Sequence, residues 1–324
     1  MYRKLFVAFW ITILFVSCGL EKVQDKKMKV GILSIADSGA LFVAEKEQLF
    51  LKNGLDVELI PFGSAVEQSR AMEAGELDAM MTDAIVQNLV NQGENNLKEV
   101  LVALGDTAEH GKFLILASPT TEHNSLKNLS GAKLGISENT MMEFLVDSYF
   151  SLLNLEIHDV EKVNIPSLSL RMEMLLQGKI DLAILPEPLG DFAVLQGAKI
   201  VLDDTKLNEN LSQSIIVFRE SYIEKNFLEV KKFVKSYSEA AKMINEAPDQ
   251  YKDYIFEMAN IPEILKSSYR LPYYSIASVT ERQLFDKMQN WMIQKKLLTQ
   301  TKDYSSSIDS RFIDIVGEEN DSVK

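Results

Sequence analysis

Past an apolar start, the chain switches repeatedly between two hydrophobic periods. Lys29-Val30-Gly31-Ile32-Leu33 is a short apolar run that reads as a strand, ended by Ser34-Ile35-Ala36-Asp37-Ser38-Gly39. A helix is predicted over 40–52, closed by Gly54, because glycine adopts the left-handed conformation that ends helices. Residues 55–60 alternate as a strand does. Pro61-Phe62-Gly63 breaks that strand, and Ser64-Ala65-Val66-Glu67 has capping-box spacing in front of a helix that Gly75 ends. Residues 77–81 form a further strand, and Thr82-Asp83 turns into a helix starting near Ala84. Strands alternating with helices in this way predict a parallel sheet with crossover helices, whose ligands sit beyond the carboxyl ends of the strands. The loops 34–39, 62–64 and 82–83 are therefore the ones to watch.

A second unit repeats the plan. Residues 132–136 read as a strand, and Ser137-Glu138-Asn139-Thr140 leads into a helix over 141–153, with Thr140 and Glu143 at capping-box spacing. A strand over 160–165, a helix over 168–177 ended by Gly178, and a strand over 180–185 follow, closed by Pro186-Glu187-Pro188. Glu73-Ala74-Gly75-Glu76-Leu77-Asp78-Ala79-Met80-Met81 aligns with Leu176-Gln177-Gly178-Lys179-Ile180-Asp181-Leu182-Ala183-Ile184 at a constant offset of 103 residues. Two such segments, each behind a strand–loop–helix unit, suggest two related α/β halves. The rest is a strand over 213–218 and then mostly helix. It includes the stripe Phe233, Tyr237, Ala240, Ala241, Ile244 and a helix over 278–298, before a polar tail expected to be disordered. A chain that leaves one lobe and returns to it crosses twice, and 113–119 and 211–218 are the candidate crossings.

The apolar start reads as an address. Tyr2-Arg3-Lys4 precedes an apolar run over 5–16, which covers about 18 Å as a helix, short of a bilayer span but suited to a secretory signal. Phe15-Val16-Ser17-Cys18-Gly19 resembles the bacterial lipobox, with Phe15 where that motif usually has Leu. The expectation is a signal over 1–17, lipidation of Cys18, and a polar tether over 18–27. Acyl chains would then hold the chain at a membrane, each buried methylene contributing about 0.8 kcal/mol.

Composition narrows the function. Apolar residues at 46% and charged residues at 25% exclude wholesale disorder. With 34 basic against 47 acidic side chains, the net charge of −13 argues against a nucleic-acid surface. One cysteine forms no internal disulfide. His110, His123 and His158 are scattered in polar stretches, and Asp106-x-x-Glu109-His110 is the nearest thing to a metal cluster; no metal site is expected. Neither a Gly-x-Ser-x-Gly elbow nor a phosphate-cradling Gly loop is present, and no cofactor is expected.

Two α/β lobes behind a lipobox, with paired helix-Gly-x-apolar-Asp-strand segments, resemble the substrate-binding proteins of bacterial ABC importers. The likeness is to the SsuA/THI5-like group, which binds sulfonates, taurine, nitrate or thiamine-pyrimidine precursors. Val43-Ala44-Glu45-Lys46-Glu47-Gln48-Leu49-Phe50, Gly54-Leu55-Asp56-Val57-Glu58-Leu59, Ala74–Ala79, Lys133–Ser137 with Glu143-Phe144-Leu145, and Pro186-Glu187-Pro188 carry it. The resemblance implies an α/β, two-lobed type II periplasmic-binding-protein fold, each lobe a mainly parallel sheet flanked by helices, with the ligand cleft between lobes. Lobe 1 is then expected over 28–117 and 215–316, lobe 2 over 118–214, and the tail over 317–324. It also implies an extracytoplasmic monomer, not an enzyme, that closes on a small solute and delivers it to an ABC permease. Expected ligand-binding residues are Ser34, Asp37, Ser38, Ser64, Thr82, Asp83, Ser137, Asn139, Thr140 and Glu187.

The cleft chemistry leaves alternatives. The capped helices at 64–67 and 137–143 offer backbone amides to a negative group, or simply cap themselves. The loops hold Asp37, Asp83, Glu138 and Glu187 and no Arg, which leans towards a neutral or amino-bearing solute over a sulfonate. An enzyme on the same fold, acting on a pyrimidine or menaquinone-pathway metabolite, is the runner-up, and a scaffolding lipoprotein the third reading.

Overall fold

The computed structural model describes residues 27–93, 96–107, 109–155, 160–209 and 211–313. The expected signal, Cys18, nearly all of the tether, His158 and the 317–324 tail lie outside the described residues. Among the described residues no helix is long and apolar enough to cross a membrane.

The alternation read from the sequence builds two five-stranded sheets. The chain opens with β1 (Met28–Leu33), α1 (Gly39–Lys46), α2 (Leu49–Lys52), β2 (Val57–Phe62), α3 (Ala65–Glu73), β3 (Ala79–Thr82), α4 (Ala84–Val90) and β4 (Leu97–Leu104). The helix expected over 40–52 breaks at Gln48, which sits in the left-handed region at φ 56°. There follow β5 (Phe113–Ala117), β6 (Lys133–Ile136), α5 (Met141–Leu152), β7 (Glu161–Asn164), α6 (Leu168–Leu176), β8 (Leu182–Pro186), α7 (Leu189–Leu195) and β9 (Lys199–Asp203). The chain ends with β10 (Ser214–Arg219), α8 (Glu220–Lys225), α9 (Phe227–Glu246), α10 (Pro248–Met258), α11 (Arg282–Gln294) and α12 (Tyr304–Ser307).

The sheets have the orders β2-β1-β3-β10-β4 and β7-β6-β8-β5-β9. In each, three parallel strands are followed by an antiparallel strand that has just arrived from the other lobe. Strand β5, placed in lobe 1 by the sequence reading, pairs with β8 and β9 of the second sheet. Its five apolar residues fill a sheet position, so the first crossing is 105–112 and the return is 204–213. The crossings touch where Gly105, at φ 79°, faces Ser212: a Cβ there would lie 2.0 Å from the Ser212 carbonyl oxygen. Gln213 Nε2 donates to the Gly105 carbonyl at 3.0 Å.

The two aligned segments do the same work in the two sheets. Asp78 Oδ2 accepts from the Lys29 amide at 2.9 Å, and Asp181 Oδ2 from the Lys133 amide at 3.0 Å. Gln68 donates to the Met81 carbonyl and Arg171 to the Ile184 carbonyl, at 3.0 and 2.9 Å. Gly31 and Gly135 let these helices approach, since a Cβ would meet the Gln68 side chain at 3.2 Å or that of Arg171 at 3.1 Å. The Gly-x-apolar-Asp segment thus pins β1 in one sheet and β6 in the other through its carboxylate.

In the first lobe, the stripe of α9 buries Phe233, Tyr237, Ala240, Ala241 and Ile244, with Phe233 stacked on Phe50 at 5.4 Å. A second apolar cluster runs from lobe to lobe. It joins Ile85 of α4 and Phe144 of α5 through Met288, Trp291 and Met292 of α11. Helix α11 also bonds both sides: Gln289 donates to Asn88 at 3.1 Å, the Trp291 indole to Asp147 at 2.9 Å, and Lys295 to Glu143 at 2.5 Å.

Candidate functional site

The loops at the carboxyl ends of the parallel strands place the residues named from the sequence, and six helices begin beyond them, α1, α3, α4, α5, α6 and α7. Four of them, α3, α4, α5 and α6, are capped by a side-chain oxygen of their own chain, whereas α1 and α7 carry no side-chain cap. Ser64 accepts from the Glu67 amide at 3.2 Å while Glu67 reaches back to the Gly63 amide at 3.2 Å. Asp83 accepts from the Val86 amide at 2.9 Å, and Ser167 from Leu170 at 3.4 Å. At α5, Thr140 accepts from the Met142 amide and donates to the Ser137 carbonyl, and Glu143 accepts from the Asn139 amide at 2.7 Å. Burial pushes the Glu143 carboxyl up, but the Asn139 amide, Lys295 and Lys162 outweigh it and hold it below its ordinary value. At α3, α4 and α5 a carboxylate thus already occupies the start of the helix.

The acids gather elsewhere. Asp37, in the turn after β1, accepts from the hydroxyl of Ser214 at the start of β10. Burial raises its carboxyl, against that hydroxyl. Glu187, after β8 in the other lobe, is pushed up to about 8, first by burial and then by the Asp37 charge, with Lys112 opposing. Lys112 itself pairs with Asp191 of α7 at 2.5 Å. Behind them Asp204 accepts from the Phe113 amide at 2.8 Å and the Tyr149 hydroxyl at 2.9 Å; burial above all raises it to about 6.

A cavity of about 480 Å³ opens beside this cluster. It is lined by Gly111 and Lys112 of the crossing, by Glu187, Asp191 and Val194, and by Tyr269 and Arg270. That volume suits a small organic molecule. His110 on the same crossing stacks on Tyr273 at 4.3 Å, its Nδ1 2.6 Å from Asp106. Among the described residues, no three His, Cys, Asp or Glu side chains group as metal ligands.

The sequence matches the NMT1-like family over residues 21–259, most of the chain. The chain belongs to the NMT1-like family. That agrees with the SsuA/THI5-like resemblance carried by its motifs, and the two-lobed α/β fold is that of periplasmic binding proteins. The periplasmic aliphatic sulphonate binding protein SsuA from Escherichia coli is similar at 18% identity, covering 87% of this chain and 92% of its own, with a TM-score of 0.74. A ligand binding component of an ABC-type import system from Staphylococcus aureus, with zinc bound, is 18% identical over 89% of this chain and 98% of its own, with a TM-score of 0.72. The desulfurization enzyme DSZB shares the fold at 12% identity over 91% and 100%, with a TM-score of 0.68. No curated protein matches the sequence.

Within this NMT1-like chain, the ten residues named from the sequence do not form one cluster. Asp37 and Glu187 lie within electrostatic reach of each other across the lobes. Ser38 is fully buried, its hydroxyl donating to the Leu33 carbonyl at 2.7 Å and lying 3.5 Å from the Met81 sulfur, so it packs the core instead of facing the cleft. Ser64, Asp83, Asn139 and Thr140 serve helix ends, and Ser137 offers its carbonyl to Thr140. Thr82 ends β3 opposite Ile215, and Ser34 is half-buried just past β1. Sequence reasoning missed Lys112, Asp191, Asp204 and Tyr269. Lys112 and Asp204 lie on the crossings, whose positions the sequence mistook, and Tyr269 lies in an irregular stretch between α10 and α11 that has no periodic signal.

Proposed function

We propose that the protein is an exported receptor that captures a small organic solute between its lobes and delivers it to the permease of an ABC importer. The observation that carries this reading is the cavity lined by both lobes at the crossing, with Glu187 and Asp191 from one lobe and Tyr269 and Arg270 from the other. A solute touching both walls binds the closed arrangement more strongly than the open one, and that difference drives closure. The solute names of the structural relatives, among them aliphatic sulphonates, support a small organic ligand. A nitrogenous solute such as a thiamine-pyrimidine precursor suits the acidic walls, and a sulfonate is the alternative. Lipidation of Cys18 would fix a monomeric receptor to the outer side of a bacterial membrane, with residues 28–104 and 214–313 as its first lobe. Incorporation of radiolabelled palmitate, lost in Cys18→Ala, tests the anchor.

The likeness to the desulfurization enzyme DSZB favours one second reading, an enzyme on the same fold. Mass spectrometry of the solute released from purified protein separates the two. A solute recovered unchanged after incubation supports the receptor, and conversion of it supports the enzyme.

A further inference from the structure

We infer that α5 and α11 form a reversible latch between the lobes, in which Lys295 of the first lobe seats on a Glu143 oxygen that Lys162 of the second already holds. Lys162 Nζ lies 3.0 Å and Lys295 Nζ 2.5 Å from the same atom, Glu143 Oε1. Lys162 also holds Asp147 at 2.5 Å, and the other Asp147 oxygen takes the Trp291 indole at 2.9 Å. Each carboxylate therefore has a cationic partner within its own lobe and a further donor from α11, across the boundary. In the second lobe alone, two carboxylates share one ammonium among the described residues, and Lys295 supplies the missing charge.

The contact is built to part and to form again. Once the lobes separate, Glu143 keeps Lys162 and the Asn139 amide, and Asp147 keeps Lys162. On the other side Gln289 keeps Asn88 and the Lys302 amide, at 3.1 and 2.7 Å. Lys295 is already 33% exposed and returns to water, so separation strands no buried charge on either lobe. Two ammonium groups on one oxygen repel each other, so Lys162 weakens the grip of Lys295 while the latch is shut. The second Glu143 oxygen accepts from the Asn139 amide, so the carboxylate that the latch grips also shapes the loop 137–140 at the end of β6. The latch concerns the lobes alone and acts whether the cavity receives a solute or a substrate.

Spin labels on Val66→Cys and Leu170→Cys, an exposed position on each lobe, test this by the distances between them in Cys18→Ala protein freed of solute. Lys295→Met is expected to raise the population at the longer distance about threefold to tenfold. Asp147→Asn, which weakens the seat of Trp291 and leaves Lys162 to Glu143, is expected to act in the same direction. Lys162→Met, which removes the rival of Lys295, is expected to act the opposite way and lower that population about twofold. With Lys295 already replaced by Met, Lys162→Met is expected to change nothing. A distribution that Lys295→Met and Asp147→Asn leave unchanged overturns the latch. A rise in the longer population on Lys162→Met overturns the sharing of Glu143. Neither result touches the receptor reading, because no solute is present in the measurement.

Discussion

At the scale of single residues, the chain carries carboxyls that folding forces to stay protonated. Burial above all holds Glu99 at about 7, Glu187 at about 8 and Asp204 at about 6. In the unfolded chain these groups lose their protons near pH 4, so between there and pH 8 the folded state binds more protons than the unfolded one. Stability is therefore greatest at the acidic end of that window and falls as pH rises through it. Urea midpoints are expected to drop steadily from pH 5 to pH 8, and Glu187→Gln to flatten the part above pH 6.5. A midpoint that rose with pH would refute the assignment. Gly105 makes a second residue-scale prediction. Gly105→Ala adds a left-handed strain of about 1 kcal/mol and a backbone clash with Ser212, so a loss of about 2–4 kcal/mol is expected in equilibrium unfolding.

At the scale of elements, much was legible because the signals were local. Gly54, Gly75 and Gly178 end their helices at φ 73°, 82° and 68°, as glycines in those positions predict. Ser64 and Thr140 cap their helices as their spacing predicts, with Glu67 and Glu143 reaching back one residue beyond the cap, and the Gly-x-apolar-Asp pair places Asp78 and Asp181 just before matching strands. What the sequence hid was partnership. The run FLILA reads equally well as a crossing or as a strand, and which sheet it joins depends on β8 and β9, tens of residues further on. Helix α11 was visible as a helix but not as a bridge, because its reach to Asp147 and Glu143 depends on how the lobes meet. Removing the first 17 residues leaves Trp291 as the sole tryptophan. Its emission is expected to be blue-shifted, as befits a ring 8% exposed beside Phe144 at 5.6 Å. Lys295→Ala should move that emission to the red and cost about 1–2 kcal/mol, since Glu143 keeps Lys162 at 3.0 Å. An unchanged spectrum would mean that α11 does not hold the lobes together.

For the whole molecule, the candidate site was half legible. Asp37 and Glu187 stand in loops at strand ends, and the rule about carboxyl ends of parallel strands finds such loops. Tyr269 stands in no such loop, and it enters the cavity because the chain returns to the first lobe and passes over the boundary. The exchange of strands between sheets also sets an order in time. All five strands of the second sheet fall within 113–203, whereas β4 pairs with β10, which begins at Ser214, and bridges to Tyr274 and Ile308, which come later still. A chain emerging N-terminus first leaves β3 and β4 with bare edges while the second sheet assembles, and bare edges are where chains associate wrongly. Chains halted after residue 210 are expected to resist protease over 113–203 and to be cut readily before residue 105. The part of the protein synthesised first is the last to be finished.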